Sequence, residues 1–338
     1  MTLPGRIEDL RRGTLWASVN HSHSHRSIGM QLTVGQLPMT RILTHNIRYA
    51  TSTPFKGEWP WPKRKQHLLN ELRFHTRHNP ASFICLQEVL HGQLVDILTE
   101  LNGASPGVTS TDAEWAYIGV GRDDGHKAGE YSPIFYRRAV WELMQWETVW
   151  LSETPTVPSK SWDAASIRIV TIGVFMHSES GKTVLTLNTH LDDQGSRSRF
   201  EAAHIILAKI REYLGRGDGE GISGVFLAGD LNSEENENAY QVLTAHHSPL
   251  VDSQKIEDPA AHYGNENTYT GFGGDKATRI DYILLGPARP HDPDRRRDGE
   301  LPRFLPWTMM GYSVLANRFD DGVFNSDHRA VVVDVALS

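Results

Sequence analysis

Several apolar, strand-like runs of this chain stop at a polar side chain that can do chemistry. The plainest is Gly224-Val-Phe-Leu-Ala-Gly-Asp-Leu-Asn-Ser233. A buried run ends at a glycine and delivers Asp230 and Asn232 two residues apart. An extended chain puts both on one side. A carboxylate and a carboxamide are poor core residues, because burying them unpaired costs a few kcal/mol. Alone, the pair has a plain structural reading as a strand followed by an Asx-turn. In company it does not: Asn46 ends RILTHN, Glu88 ends SFICLQE, His190 ends TVLTLNTH, Asp281 opens DYILL, and Asp327-His328 introduces RAVVVDVA. Turn chemistry explains any one of these and explains the set badly.

The residue types suit one task. Glu88 and Asp327 are hard oxygen ligands and Asn46 is a neutral one. That set fits Mg²⁺ or Mn²⁺ with positions left for water and a phosphate. A closed zinc site would call for cysteines or more histidines. His328, with Asp281 from another strand, makes a carboxylate–imidazole pair able to activate water. Asn232 and His190 are donors that could meet charge developing on a phosphoryl oxygen.

Composition bounds the setting. The 338 residues are 39% hydrophobic and 22% charged, as in an ordinary globular protein. The net charge of −7 disfavours tight, non-specific binding of long nucleic acid, which needs a basic face. Cys85 is the one cysteine, so no internal disulfide forms and nothing marks an oxidising compartment. No apolar run is long enough to span a membrane and no secretory signal is visible. The expectation is an intracellular, cytoplasmic protein with no obligate protein partner.

Strands and helices alternate around these residues. The periodicity predicts helices over 63–78, 90–101, 198–214 and 235–246, the third with Ala203, Ile206, Leu207, Ile210 and Leu214 on one stripe. Strands are predicted near 41–48, 82–88, 115–120, 132–137, 140–151, 167–176, 183–191, 224–233, 279–285 and 329–336. Glu179-Ser-Gly181 joins two β-branched runs as a hairpin. Residues 1–40 read as an N-terminal extension. Its His21, His23 and His25 could hold a transition metal, although a mobile polar segment is the simpler reading. Residues 287–306, with Arg295-Arg296-Arg297, read as an exposed loop. The expected fold is α+β, two packed sheets with helices outside, in one domain over 41–338.

The ordered set THNIRYA (44–50), ICLQEV (84–89), PIFYR (133–137), LNTHLDD (187–193), LAGDLNS (227–233), RIDYILL (279–285) and SDHRAVVVDV (326–335) resembles the endonuclease/exonuclease/phosphatase superfamily. These are metal-dependent phosphoesterases with a deoxyribonuclease I-like fold, a four-layer sandwich of two mixed sheets flanked by helices. VWLSETP (149–155), SWDAASIR (161–168) and NTHLDDQGSRSR (188–199) are similar to a microbial and fungal subgroup. The resemblance implies that Glu88 is the main metal ligand, helped by Asn46 and Asp327. It implies that Asp281 orients His328, that Asp230 positions the nucleophile, and that Asn232 and His190 bind the scissile phosphate. A histidine at position 190 is the pattern of deoxyribonucleases, lipid phosphoesterases and deadenylases, so abasic-site repair is disfavoured.

Substrate contacts follow from position. Arg137, Arg168 and Arg199 lie in the motif segments, and arginine clamps phosphate bidentately. Arg168 could instead pair with Asp163 or Asp192, and Asp192 is itself a candidate substrate contact. Trp59, Trp61, Trp150 and Trp162 could stack on a base or sugar, or simply pack. The first expectation is hydrolysis of a phosphodiester, a small one or a short or single-stranded nucleic acid. The alternatives are a phosphomonoesterase for a sugar, inositol or nucleotide phosphate, and a non-catalytic binder of phosphorylated partners. Glu88, Asp281 and His328 are all intact, which speaks against the last. No Gly-x-Ser-x-Gly supplies a serine nucleophile.

Overall fold

The computed structural model describes residues 39–103, 113–215, 221–256, 261–288 and 304–338. The three N-terminal histidines and the Arg295–Arg297 run lie outside the described residues. Contacts divide the chain after Gln36, and Leu37–Ser338 forms one compact unit.

Among the described residues, thirteen strands and four α-helices follow in the order β1 (Met39–Asn46), α1 (Trp61–Thr76), β2 (Phe83–Gln87), α2 (His91–Leu101), β3 (Trp115–Ile118), β4 (Ile134–Arg137), β5 (Trp141–Trp150), β6 (Ile169–His177), β7 (Thr183–His190), α3 (Ser196–Gly215), β8 (Gly224–Asp230), α4 (Asn238–Thr244), β9 (Val251–Asp252), β10 (His262–Gly264), β11 (Asp281–Gly286), β12 (Trp307–Val314) and β13 (Val331–Leu337). One sheet runs β10-β12-β13-β1-β2-β4-β3 and the other β5-β6-β7-β8-β11-β9. Both are mixed: β1 pairs parallel to β2 and antiparallel to β13, and β7 pairs parallel to β8.

The apolar runs stand in four layers. Ile42, Phe83 and Val333 of the first sheet meet Phe175, Phe226 and Ile283 of the second in a core between the sheets. Leu68 and Leu72 of α1 and Leu94 and Ile97 of α2 cover the outer face of the first sheet. Ile206, Leu207 and Ile210 of α3 and Leu243 of α4 cover the second. The predicted α3 stripe is therefore the buried face, with Leu214 at its edge. Strands covered on both faces read as continuous apolar runs rather than alternating ones. This is the expected α+β sandwich. Strand β12 was not legible: its Thr, Met and Gly residues do not spell a β-branched run, although every second residue from Tyr312 is buried.

Among the described residues, no helix is long and apolar enough to cross a membrane. One buried cation ties the layers to the loops above them. Arg64 of α1 is fully buried. It donates to the carbonyls of Ile47 (2.6 Å), Arg48 (2.6 Å) and Asn325 (2.9 Å). Desolvation lowers its pKa to about 10. Buried guanidinium groups persist where most of their donors are matched, and here the carbonyls that accept from Nη1 and Nη2 fix the loops after β1 and before β13.

Candidate active site

Strand register, not sequence distance, assembles the polar strand ends. His190 and Asp230 are neighbours in the parallel β7–β8 pair, and Asp281 faces Asp230 across the antiparallel β8–β11 pair. Asn46 ends β1 beside Gln87 of β2, so Glu88 follows at the same edge. Gly229 makes the approach possible: a Cβ there would lie 2.1 Å from the Thr189 carbonyl oxygen.

Asp230 is the hub. It is buried, and its Oδ2 lies 3.5 Å from His190 Nε2 and 3.7 Å from His328 Nε2. The Asn46 amide donates to that same oxygen at 3.0 Å and to Glu88 Oε1 at 3.0 Å. The Asn232 backbone N–H donates to Asp230 Oδ1 at 2.9 Å. Behind His328, Asp281 Oδ2 stands 2.8 Å from Nδ1. Asp281 is in turn fixed by Thr268, whose hydroxyl accepts from its backbone N–H at 3.0 Å. The Tyr269 ring packs on His328, with centroids 5.1 Å apart. On the other side the Asn232 amide is 3.0 Å from His190 Nε2 and donates to the Leu191 carbonyl at 3.0 Å.

Three site residues have positive φ: Arg48 at 57°, Glu88 at 59° and Asn232 at 44°. Such backbones cost on the order of 1 kcal/mol each and cluster where function requires a fixed direction.

The electrostatics follow from burying several carboxylates together. Desolvation, and then Asp281, pushes Asp230 up to about 7. Burial works against a charged His328, but Asp281 and Asp230 outweigh it and hold the ring well above its usual pKa. His190 moves the other way: burial, with Arg168 and Arg122 nearby, holds it well below. The two imidazoles thus differ in charge although both flank one carboxylate. Desolvation, opposed by His328 and reinforced by Glu88, raises Asp327.

The expected metal set is Asn46, Glu88 and Asp327. Glu88 raises the cost of ionising Asp327, and the cations beside the two carboxylates are His328 and Arg48, 3.6 Å from Glu88. Hard oxygen donors with too little positive charge fit a divalent cation. Among the described residues, the ligand atoms that converge belong to Asp230, Asp281 and His328, all within 4.8 Å of one another. Asn46 stands differently from expectation. Its oxygen accepts from the Arg48 N–H at 3.0 Å, and it is the amide nitrogen that joins Glu88 to Asp230.

The other expected residues divide. Arg168 is buried, donates to Asp193 at 2.7 Å and lies 3.4 Å from Asp192. Its Nη1 has no partner, and it lines a crevice with His190, Arg122 and Glu130. Asp192 is a scaffold. It accepts from the backbone N–H groups of Ala165, Ser166, Gln194 and Gly195. Burial opposes its ionisation, yet those bonds and Arg168 hold it at about 2. Arg199 donates to the Asp192 carbonyl at 3.0 Å and to Glu237 at 3.3 Å, so it holds the same loop. Trp162 is half-buried at φ 58°, next to Asp163, which caps the N-terminus of α3 through the Ser198 N–H at 2.7 Å.

Arg137 corrects the expectation. It ends β4, and β4 runs antiparallel to β2 with Tyr136 opposite Phe83. Its side chain is therefore at the other end of the sheet from Glu88. There it donates to the carbonyls of Thr76 and Asn79 and pairs with Glu114. Trp61 and Trp150 also pack rather than present a face: their indole N–H groups donate to Asp96 and to the Arg122 carbonyl, both at 2.8 Å.

Two residues escaped the sequence reading. Glu130 Oε2 lies 3.8 Å from His190 Nδ1, and Arg122 holds both Glu130 oxygens at 2.8 and 3.0 Å. Burial, and then Glu88, raises the Glu130 carboxyl to about 7. Their only signal was a Gly/Asp-rich loop before PIFYR, which has no periodicity to interpret.

The model of the endonuclease/exonuclease/phosphatase family matches residues 43–307. A sequence comparison with curated proteins finds no match. Among solved structures, an endonuclease/exonuclease/phosphatase from Bacteroides vulgatus is 28% identical with a TM-score of 0.72, covering 89% of this chain and 99% of its own. A mannosyl-6-phosphatase of Bacteroides thetaiotaomicron VPI-5482 is 29% identical with a TM-score of 0.71, covering 88% and 100%. TDP2 of D. rerio, complexed with a single-strand DNA product, is similar in fold at 15% identity and a TM-score of 0.56, covering 88% and 98%. This chain belongs to the endonuclease/exonuclease/phosphatase family, whose members hydrolyse phosphate esters and generally depend on divalent metal.

Proposed function

We propose that the protein hydrolyses phosphomonoesters of sugars by direct attack of water on phosphorus. The observation that carries this is Asp230 standing between two imidazoles of opposite charge preference. A buried carboxylate raised toward neutrality is a competent general base. Asp230 accepts the proton of the attacking water. His328, held as an imidazolium by Asp281, donates to a phosphoryl oxygen. Asn232 and His190 donate to another as charge develops there. Glu130, protonated up to about pH 7, stands behind His190 as the reserve from which the leaving oxygen regains a proton. Glu88, steadied by the Asn46 amide, and Asp327 would hold Mg²⁺ or Mn²⁺, which supplies Lewis-acid polarisation of the phosphoryl group when bound.

The monoester reading rests on the positive field around His190, where Arg168 and Arg122 both oppose its protonation. A terminal phosphoryl group, with its extra anionic charge, gains more from that field than a diester does. The 29% identical mannosyl-6-phosphatase supports the same class. The second reading is the phosphodiester, small or single-stranded. The half-buried Trp162 favours it as a surface for a base.

The test is phosphate release from hexose phosphates before and after exhaustive chelation. Activity should vanish with the metal and return with Mg²⁺ or Mn²⁺. Undiminished release after chelation would refute the metal-assisted mechanism.

A further inference from the structure

We infer that a cleft beside the Glu88–Asp327 side of the cluster is the subsite for the pyranose ring that carries the phosphate. The inference rests on the sugar-phosphate reading above. The cleft has a volume of about 430 Å³, within the range of small-molecule sites. Trp59, Phe272 and Phe324 form its apolar walls and Arg318 its polar edge.

Its place in the fold ties it to the reacting groups. Glu58 lines the cleft and lies 3.3 Å from Arg48 Nε, and Arg48 is 3.6 Å from Glu88. Phe272 follows Thr270, whose N–H and hydroxyl both donate to the Asp327 carbonyl at 2.8 Å. Phe324 stands three residues before Asp327. The cleft is thus held by the same two segments that fix Asp327.

The walls suit a sugar. Trp59 is 39% exposed, which is unusual for the largest apolar side chain. Lys63 Nζ lies over its ring at 3.0 Å, and Lys63 is not part of the cleft lining. One face is therefore covered by the ammonium and the other is left for a ligand. Phe272 is held at φ 55° and edge-on to Phe324, with centroids 5.9 Å apart. Gly57 has φ 90°, and a Cβ there would lie 3.3 Å from the Phe272 Cβ. Gly57, Gly273 and Gly322 leave the floor open. A pyranose offers an apolar C–H face to an aromatic wall and hydroxyls at its rim. Arg318 reaches over Phe324 and donates to hydroxyl oxygens. Glu58 has both oxygens committed, to Arg48 and to the Phe55 N–H. Among the lining residues, Arg318 is the polar side chain left to meet a ligand.

The experiment measures KM and kcat for a hexose 6-phosphate, glycerol phosphate and a nucleoside monophosphate with the full-length protein, Trp59→Ala, Arg318→Ala and Trp59→Phe. Trp59 and Arg318 are exposed, so thermal melts should match wild type. We expect Trp59→Ala and Arg318→Ala each to raise KM for the hexose phosphate about tenfold with kcat held. Glycerol phosphate should be unaffected, and Trp59→Phe should restore most of the loss. If hexose phosphate is turned over and its KM does not move, the subsite is wrong and the phosphatase reading stands. If the nucleotide shows the shift and the hexose does not, the pyranose assignment is overturned. If no phosphate ester is turned over by wild type, the functional reading fails and the subsite fails with it.

Discussion

His45 supports His328 from below: its Nε2 is 3.2 Å from the His328 carbonyl oxygen. Its Nδ1 lies 2.9 Å from Glu71 Oε1, and Asn325 donates to the other Glu71 oxygen at 2.9 Å. His45 and Asn325 are fully buried and Glu71 almost so. The chain Glu71–His45–His328 thus runs from α1 through β1 to the backbone of the segment bearing Asp327 and His328, and it meets His328 at its carbonyl and not at its ring.

Removing one partner of that chain should therefore act on stability and on kcat together. Glu71→Ala leaves His45 buried without its carboxylate, at a cost of about 3 kcal/mol. Urea unfolding should show that loss. Kinetics should show a lower kcat with KM nearly unchanged, because His328 is displaced and the binding groups are not. A variant as stable and active as wild type would disconnect Glu71 from His328.

Glu130 predicts a pH dependence. Burial raises its carboxyl to about 7, so it is protonated below that pH and ionised above it. A divalent cation near Glu88 would move the transition lower. As the proton reserve behind His190, it should give kcat a limb that falls as pH rises through about 7 or just below. Glu130→Gln, which cannot release a proton, should lose that limb and hold kcat low at every pH. An identical profile in wild type and variant would remove Glu130 from the mechanism.

Asp192 makes the opposite kind of prediction, for stability. Its carboxyl is depressed to about 2 in the folded protein, against about 3.9 in an unfolded chain. The stabilisation is fully present above the unfolded value and is lost as pH falls through 4 toward 2. It amounts to about 2 kcal/mol. Asp192→Asn should lower the melting temperature at pH 7, and that difference should shrink as pH falls through this window. A gap that stays constant down to pH 2 would show that ionisation of Asp192 does not matter.

Arg137 separates scaffold from site. Its guanidinium satisfies the Thr76 and Asn79 carbonyls at the far end of the sheet and lies over Trp115 at 4.2 Å. Arg137→Met should cost about 2 kcal/mol and leave KM for every phosphate ester unchanged. A raised KM would place Arg137 at the substrate after all.

The contrast between Arg137 and Asp230 shows what a sequence can and cannot display. Both end short apolar strands, and nothing local tells which end of a sheet a strand terminus occupies. Asp230, His190, Asp281 and His328 were legible together because each sits where an apolar run meets a polar residue. Register then brings them to one edge. The layered fold was legible for the same reason, since fully buried strands and striped helices carry their period openly. Glu130 and Arg122 sit in a loop, where burial comes from tertiary packing that no periodicity records. The ordering of Asn46 depended on which of its amide atoms faces Glu88, and that is settled only by neighbours from β8 and the Arg48 backbone.

In the proposed mechanism Asp230, between His190 and His328, takes the proton from the water that cleaves a phosphate ester. The decisive experiment is phosphate release from a panel of hexose, glycerol and nucleotide phosphates in Mg²⁺ and Mn²⁺ with wild type and Asp230→Asn. Wild type should release phosphate only with metal, most strongly from hexose phosphates. The variant should lose about a thousandfold or more in kcat, as expected when a general base is removed. Comparable turnover by wild type and Asp230→Asn would rule Asp230 out as the base.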